Sequence, residues 1–308
     1  MNADDLWAGA TAAATAAGWH MRVVDAARLD EVRERVTGAL DSSGFTDDEV
    51  AHLGEEAAVA WLDRLEDARS VVVGAVARPL TCATLTVGGT EHTVPVPPHY
   101  AGYETVPDRL TAAVGAALAP YGRRALRIEP PLKTLAVGVG LARYGRNNIA
   151  YVPGLGSYLQ LAACLTDVPP PADATWGEAQ QLERCERCTA CLRACPSGAI
   201  RVDRFLLDTV RCLTWVNEGA APFLDWVDPA WHTCAVGCLR CQQACPENAT
   251  VDLAVAPAEL FDEEESAAIL AARTEGEVGE GTAEKLRRSG LDYAPRLMAR
   301  NIRALVEG

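Results

Sequence analysis

Between residues 185 and 196 the chain reads CERCTACLRACP, and no other stretch limits the possible fold as tightly. Cys185, Cys188, Cys191 and Cys195, followed by Pro196, form the run C-x2-C-x2-C-x3-C-P. Such short spacings wrap a loop around one iron–sulfur cubane, so that three thiolates reach three irons. The proline turns the chain away, and the fourth cysteine points into a neighbouring cluster. Zinc also uses C-x2-C pairs, but four cysteines in so short a run, ending in Cys-Pro, favour iron–sulfur.

A second set follows in HTCAVGCLRCQQACPEN, residues 232–248. Cys238, Cys241 and Cys245 fit the last three positions of the same run, but the first falls on Ala235, and Cys234 stands one residue early. Crossing the ligands as in a two-cluster bacterial ferredoxin gives Cys185, Cys188, Cys191 and Cys245 for one cluster. The other takes Cys195, Cys238, Cys241 and one more thiolate. Two candidates exist: Cys212, in DTVRCLTWVNEG on a loop that can fold back, and Cys234, which must reach across an extra residue with Gly237 to ease it.

Nine of the eleven cysteines lie between 185 and 245, which is metal-site clustering rather than a disulfide framework. Cys82 and Cys164 stand apart in apolar surroundings and read as buried thiols. The chain of 308 residues is 49% apolar and 23% charged, a globular composition with ample core. Its 28 basic and 42 acidic residues leave a net charge of −14. A polyanionic partner needs cationic neutralisation of its phosphates, so the charge argues against nucleic acid. The short basic runs YGRRALR and EKLRRSG read as solvated helix ends. No apolar run approaches the ~18 residues of a membrane helix. The alanine-rich N-terminus opens with two aspartates and lacks a cationic leader, so an alanine-rich surface helix and a cytoplasmic location are expected.

Three pieces are expected: an α/β or α+β domain over 1–167, a cysteine-rich domain over 168–253 after the proline-rich VPPPADATW, and a helical tail over 254–308. In the first, LDEVRERVTGAL and EEAAVAWLDRLEDA read as amphipathic helices and SVVVGAVA as a buried strand. ATLTVGGTEHTVPV reads as a hairpin turning at Gly88–Gly89. VPDRLTAAVGAALAPYG reads as a helix, and RALRIEPP and SYLQLAACLTD as strands. GVGLARYG lacks the strand and the distant acidic residue of a dinucleotide loop. YGRNN and PGLGS read instead as turns around the strand IAYV, with Gly145, Gly154 and Gly156 either serving hairpin geometry or letting backbone approach a ligand. Tyr144, Arg146, Asn147 and Ser157 would add polar contacts. His99 and Tyr100 read as pocket-lining or exposed, and His232 as hydrogen-bonding a cluster sulfur or packing among tryptophans.

The order CERCTACLRACPSGAI, RCLTWVNE, WVDPAWHTCAVGCLRCQQACPEN resembles the double-cluster domain of the epoxyqueuosine reductase family. Residues 138–169 resemble that family's stretch before the clusters. The resemblance implies that Cys212 closes the second cluster and that Cys234 is a bystander. It implies a front domain like a flavin- or corrinoid-handling fold, holding cobalamin that the clusters reduce. The corrinoid motif Asp-x-His-x-x-Gly is missing from the sequence, but the family is described as binding without that lower ligand. The resemblance also implies an acidic proton donor, for which Glu129 in RIEPPLKTL is the positional match. Only 63 residues (308 − 245) follow Cys245, fewer than the helical-repeat tail of the tRNA-acting members.

The expected function is therefore an iron–sulfur oxidoreductase with two [4Fe–4S] clusters. It would take electrons from an external ferredoxin- or flavodoxin-type donor and deliver them to a cofactor, with cobalamin the candidate, or to a small-molecule substrate. The alternative is a ferredoxin-like carrier that docks a partner enzyme and has no catalysis of its own. An open, glycine-walled pocket at Tyr144, Arg146 and Asn147 would favour the enzyme; a filled core there would favour the carrier.

Overall fold

The computed structural model describes residues 2–41, 50, 59–219, 221–272, 277–292 and 295–307. The chain opens with α1 (Ala3–Ala16), β1 (Trp19–Asp25), α2 (Arg28–Asp41) and β2 (Ser70–Ala77). The hairpin β3 (Thr81–Val87) and β4 (Thr90–Val96) comes next, then α3 (Val106–Leu118), β5 (Ala125–Ile128) and α4 (Leu132–Gly138). β6 (Arg143–Tyr144), β7 (Ala150–Tyr151) and β8 (Leu159–Thr166) precede the cysteines. Short helices α5 (Ala190–Ala194), α6 (Leu213–Glu218) and α7 (Arg240–Gln243) carry the cysteine region. β9 (Glu259–Phe261), α8 (Glu263–Ala271), α9 (Glu280–Ser289) and α10 (Pro295–Glu307) close the chain.

These elements form two compact units, residues 1–77 with 104–188, and residues 78–103 with 189–308. In the first, a sheet runs in the order β1-β2-β8-β5, and each of its pairings is antiparallel. The unit is thus α+β, and the α/β alternative is set aside. β2 explains the sheet's central position. Its valines alternate across the pleat, so Val71 and Val73 join the core beneath α2 and α4, while Val72 and Val76 join the core beneath α1 and α3. A strand covered on both faces must be apolar throughout, and SVVVGAVA is. Gly74 lets α3 approach: a Cβ there would stand 2.9 Å from Leu110 and from Trp19. α1 is no mere surface helix, since Leu6, Trp7, Ala10 and Ala14 are buried.

In the second unit the hairpin turns at Gly88–Gly89, both left-handed, with φ of 58° and 75°. Two successive positive φ angles suit the tight turn that matches strand twist. Both glycine N–H groups donate to the Glu263 carboxylate at the start of α8. β9 pairs in parallel with β3. Ala83, Leu85 and Val94 of the hairpin share one core with Val236 and with Ile269, Leu286, Met298 and Ile302 of the tail helices.

That core corrects the expected division into consecutive pieces. The hairpin leaves the N-terminal 167 residues, and the tail is not a separate appendage, because neither buries its apolar face alone. EEAAVAWLDRLEDA (55–68) lies in part outside the described residues, and its described portion holds a 3-10 turn, Trp61–Arg64, rather than an α-helix.

Candidate iron–sulfur and active site

The cysteine run is built from short pieces. Cys185 lies in a 3-10 turn, Glu183–Glu186, and Cys191 in α5. Cys195 is extended and leads into Pro196. The second set repeats the form: Cys241 lies in α7, and Cys245 caps a 3-10 turn, Pro246–Asn248. Proline after each of these last cysteines forbids a further helical hydrogen bond, which is why each helix stops there.

Cys212 precedes α6. Burial pushes its thiol up, while the N–H groups of Thr214 and Trp215 at the helix start favour the anion, and Cys195 lies close enough to disfavour it. Cys238 is likewise pushed up by burial, eased by the Arg240 N–H and opposed by Cys212 and Cys195. Cys195, Cys212 and Cys238 are thus within electrostatic reach of one another. Cys234 is 1% exposed and pushed up to about 12 by burial, and its sulfur neighbours are Cys238 and Cys82. Among the described residues no three His, Cys, Asp or Glu side chains converge to hold a single metal ion. The donors at Cys195, Cys212 and Cys238 are all thiols, with N–H groups directed at two of them, which suits a thiolate-ligated cluster.

A clamp that the sequence analysis missed stands behind Cys212. Arg300 of α10 donates to the backbone carbonyls of Val216, Asn217, Gly219 and Ala221, all at or just beyond the end of α6. Its guanidinium also lies 4.2 Å from the Phe223 ring centroid. Asn301, fully buried, donates to the carbonyls of Asn217 and Ala235 at 2.9 Å each. Asn217 in turn donates to Gly237 at 2.8 Å. Gly237 is left-handed, and a Cβ on it would stand 2.8 Å from Tyr100. The trace of this clamp in the sequence is an Arg-Asn pair inside LMARNIRALV, whose one other polar residue is Arg303.

The glycine loop is more closed than expected. Tyr144 is buried in the first unit's core, and its hydroxyl is 3.2 Å from Thr134 Oγ1. A Cβ on Gly145 would meet Asn147 Oδ1 at 2.4 Å and the Tyr151 ring at 2.6 Å. Asn147 is buried and donates to the Tyr151 hydroxyl at 2.9 Å, and its Oδ1 has no hydrogen-bond partner among the described residues. Arg146 donates its backbone N–H to Cys185 Sγ at 3.3 Å and a guanidinium N–H to the Cys185 carbonyl, and its buried Nε has no hydrogen-bond partner among the described residues. Gly154 and Gly156 are left-handed, and Gly156 exchanges backbone hydrogen bonds with Val152 at 2.9 Å. Ser157 is buried. Gly145 and Gly156 thus take part in hairpin geometry, and Tyr144, Arg146 and Asn147 each make protein contacts.

Glu129 is exposed, just past β5, and is ion-paired with Arg127. Tyr100 is buried, packs against Gly237 and donates to Glu218. His232 is buried against the Phe223 ring, at 4.6 Å between centroids, and neither ring nitrogen has a hydrogen-bond partner. The aromatic ring packed against His232 is thus that of Phe223. Cys164 is fully buried in the first unit's core, as expected, whereas Cys82 is only half-buried.

The 4Fe–4S double cluster binding domain matches residues 184–248. Epoxyqueuosine reductase of Yersinia pestis is 38% identical over 96 residues, which is 30% of this chain and 21% of that protein. The Pseudomonas aeruginosa protein of the same name is 31% identical over 145 residues, 46% of this chain and 38% of that one. These matches span well under two thirds of the curated relatives' length. Among solved structures, epoxyqueuosine reductase from Bacillus subtilis superposes with a TM-score of 0.70 at 21% identity, covering 99% of this chain and 82% of that one. An epoxyqueuosine reductase bound to an epoxyqueuosine-modified tRNA-Tyr stem loop superposes at 0.71 and 21% identity, with the same coverage. The chain is epoxyqueuosine reductase-like, by sequence over the cluster segment and by fold over nearly its full length. No helix among the described residues is long and apolar enough to cross a membrane.

Proposed function

We propose that the chain is an iron–sulfur reductase related to epoxyqueuosine reductase, supplied by an external ferredoxin- or flavodoxin-type donor and working with a cofactor for which cobalamin is the candidate. One observation carries the reading. Cys195, Cys212 and Cys238, distant in sequence, share one electrostatic neighbourhood inside the segment that matches a double-cluster domain. Cys185, Cys188, Cys191 and Cys245 would hold one cluster, and Cys195, Cys212, Cys238 and Cys241 the other. When bound, such clusters supply single electrons within a span of roughly −700 to +450 mV.

The chain's own groups hold and bias those sites. Backbone N–H groups of Thr214 and Trp215 stabilise negative charge on Cys212. In the glycine loop, the orphaned Asn147 Oδ1 and Arg146 Nε support a ligand contact, since buried polar atoms are ordinarily satisfied. Glu129 is the proton donor in this reading, by its position after β5.

The expectation against nucleic acid rested on net charge and on the short segment after Cys245, and a structure of the same fold holds a tRNA stem loop. An RNA stem loop therefore stands beside a small molecule as substrate class. The carrier reading is favoured by one observation: Tyr144, Arg146 and Asn147 are taken up by protein contacts.

The test is anaerobic reconstitution with iron and sulfide, then with cobalamin, followed by assay with reductant. About eight irons per chain, a bound corrinoid spectrum and reduction of an epoxide-bearing stem loop or nucleoside that weakens in Glu129→Gln support the proposal. About eight irons with no corrinoid uptake and no turnover without a partner enzyme favour the carrier. Zinc in place of iron ends both readings.

A further inference from the structure

Arg146 meets Cys185 twice. Its backbone N–H donates to the sulfur at 3.3 Å, and its guanidinium donates to the carbonyl of the same residue. The loop is closed around this contact: the Gly145 N–H donates to the Ile149 carbonyl at 2.8 Å, and the Asn148 N–H donates to the Gly145 carbonyl at 3.0 Å. Asn148 is left-handed, with φ of 59°, a conformation asparagine tolerates better than most residues. The chain entering the cysteine run is tied to the same strand. Tyr144 donates to the Gln180 carbonyl at 2.9 Å, and Leu182 donates to the Tyr144 carbonyl at 2.8 Å. The Arg146 amide cannot move away from Cys185 without breaking this set.

Hydrogen bonds to cluster sulfurs, and positive charge beside them, favour the reduced and more negative state of a cluster. We propose that Arg146 is a positioning residue for the cluster held by Cys185, fixing an N–H···S hydrogen bond that raises the reduction potential of that cluster alone. This inference rests on the proposed iron–sulfur reading. It gives the YGRNN loop a role separate from ligand binding: one nitrogen of a planar guanidinium holds the Cys185 carbonyl in a fixed direction, which the rotatable ammonium of a lysine matches less well.

The full chain, reconstituted anaerobically, is titrated with reductant and followed by electron paramagnetic resonance, as wild type, R146Q and R146K. R146Q is expected to keep its iron and to shift one of two midpoints to more negative potential, with R146K shifted less. Loss of half the iron from R146Q, with R146K retaining it, also supports the positioning role. Full iron in R146Q with both midpoints unmoved overturns the inference and leaves the proposed function standing. A wild-type chain that takes up no iron–sulfur cluster overturns both.

Discussion

Cys185 receives its N–H donor from a tight loop 39 residues earlier in the chain, whereas Cys212 begins a helix whose far end is gripped by Arg300 and Asn301, some 84 residues later. The first hold is made of backbone geometry: a glycine with no room for a Cβ, a left-handed asparagine and a two-residue strand pair. The second is made of side chains filling carbonyl groups that the end of α6 leaves open, as helix C-termini do. Neither hold lies inside the cysteine motif. The motif supplies thiols, and the two units supply their restraint by different means, so the two restraints should fail separately.

The largest effect should come from removing a ligand. Cys212→Ser is expected to lose about half of the iron of a two-cluster protein, while Cys234→Ala keeps all of it; iron analysis with resonance spectra decides. The reverse outcome would make Cys234 the ligand and detach the tail clamp from the cluster.

Next is the clamp itself. Asn301→Leu takes the side-chain donor from the Ala235 carbonyl and leaves the Asn217 carbonyl to Arg300, at about 1–3 kcal/mol for the buried acceptor. Thermal unfolding should fall accordingly, with the second cluster lost to chelator before the first. Equal loss of both would erase the contrast drawn here.

Gly145→Ala should act on the other side. Its Cβ would collide with Asn147 Oδ1 and Tyr151, costing about 1–3 kcal/mol for overpacking. The first cluster's signal should broaden while the second is unchanged.

The smallest effect concerns His232 in the second unit. Burial, and then Arg300, hold its pKa below the usual histidine value. The unfolded chain therefore takes up a proton that the folded chain refuses. The stability of neutral His232 is fully present above pH ~6.5 and is lost as pH falls through the lower folded-state value. His232→Phe, retaining the ring against Phe223, should flatten the decline in unfolding midpoint between neutral and mildly acidic pH. An unchanged slope would place the titrating group elsewhere.

Much of this was legible along the chain because it depends on neighbours in sequence. The cysteine spacings name the cluster chemistry, Gly88–Gly89 names the hairpin, and the alternating valines of 70–77 name a strand covered on both faces. In the described part of EEAAVAWLDRLEDA, residues 59–68, apolar periodicity describes burial around Trp61 and Leu65 without fixing an α-helix. The reach of the Arg146 amide to the Cys185 sulfur was not legible in YGRNN, because Gly-rich turns beside polar residues look alike in sequence whatever they face.

The sequence by itself determined the thiol set, the hairpin turn at Gly88–Gly89 and the buried strand of 70–77, since each follows from residue spacing, local backbone limits and side-chain period. Only the tertiary structure decided that the 78–103 hairpin joins the C-terminal helices, that Arg146 meets Cys185, and that Arg300 and Asn301 brace the helix beginning at Cys212. Those pairings join residues tens of positions apart, and they are selected by which apolar faces and open carbonyls remain to be covered once the local elements exist.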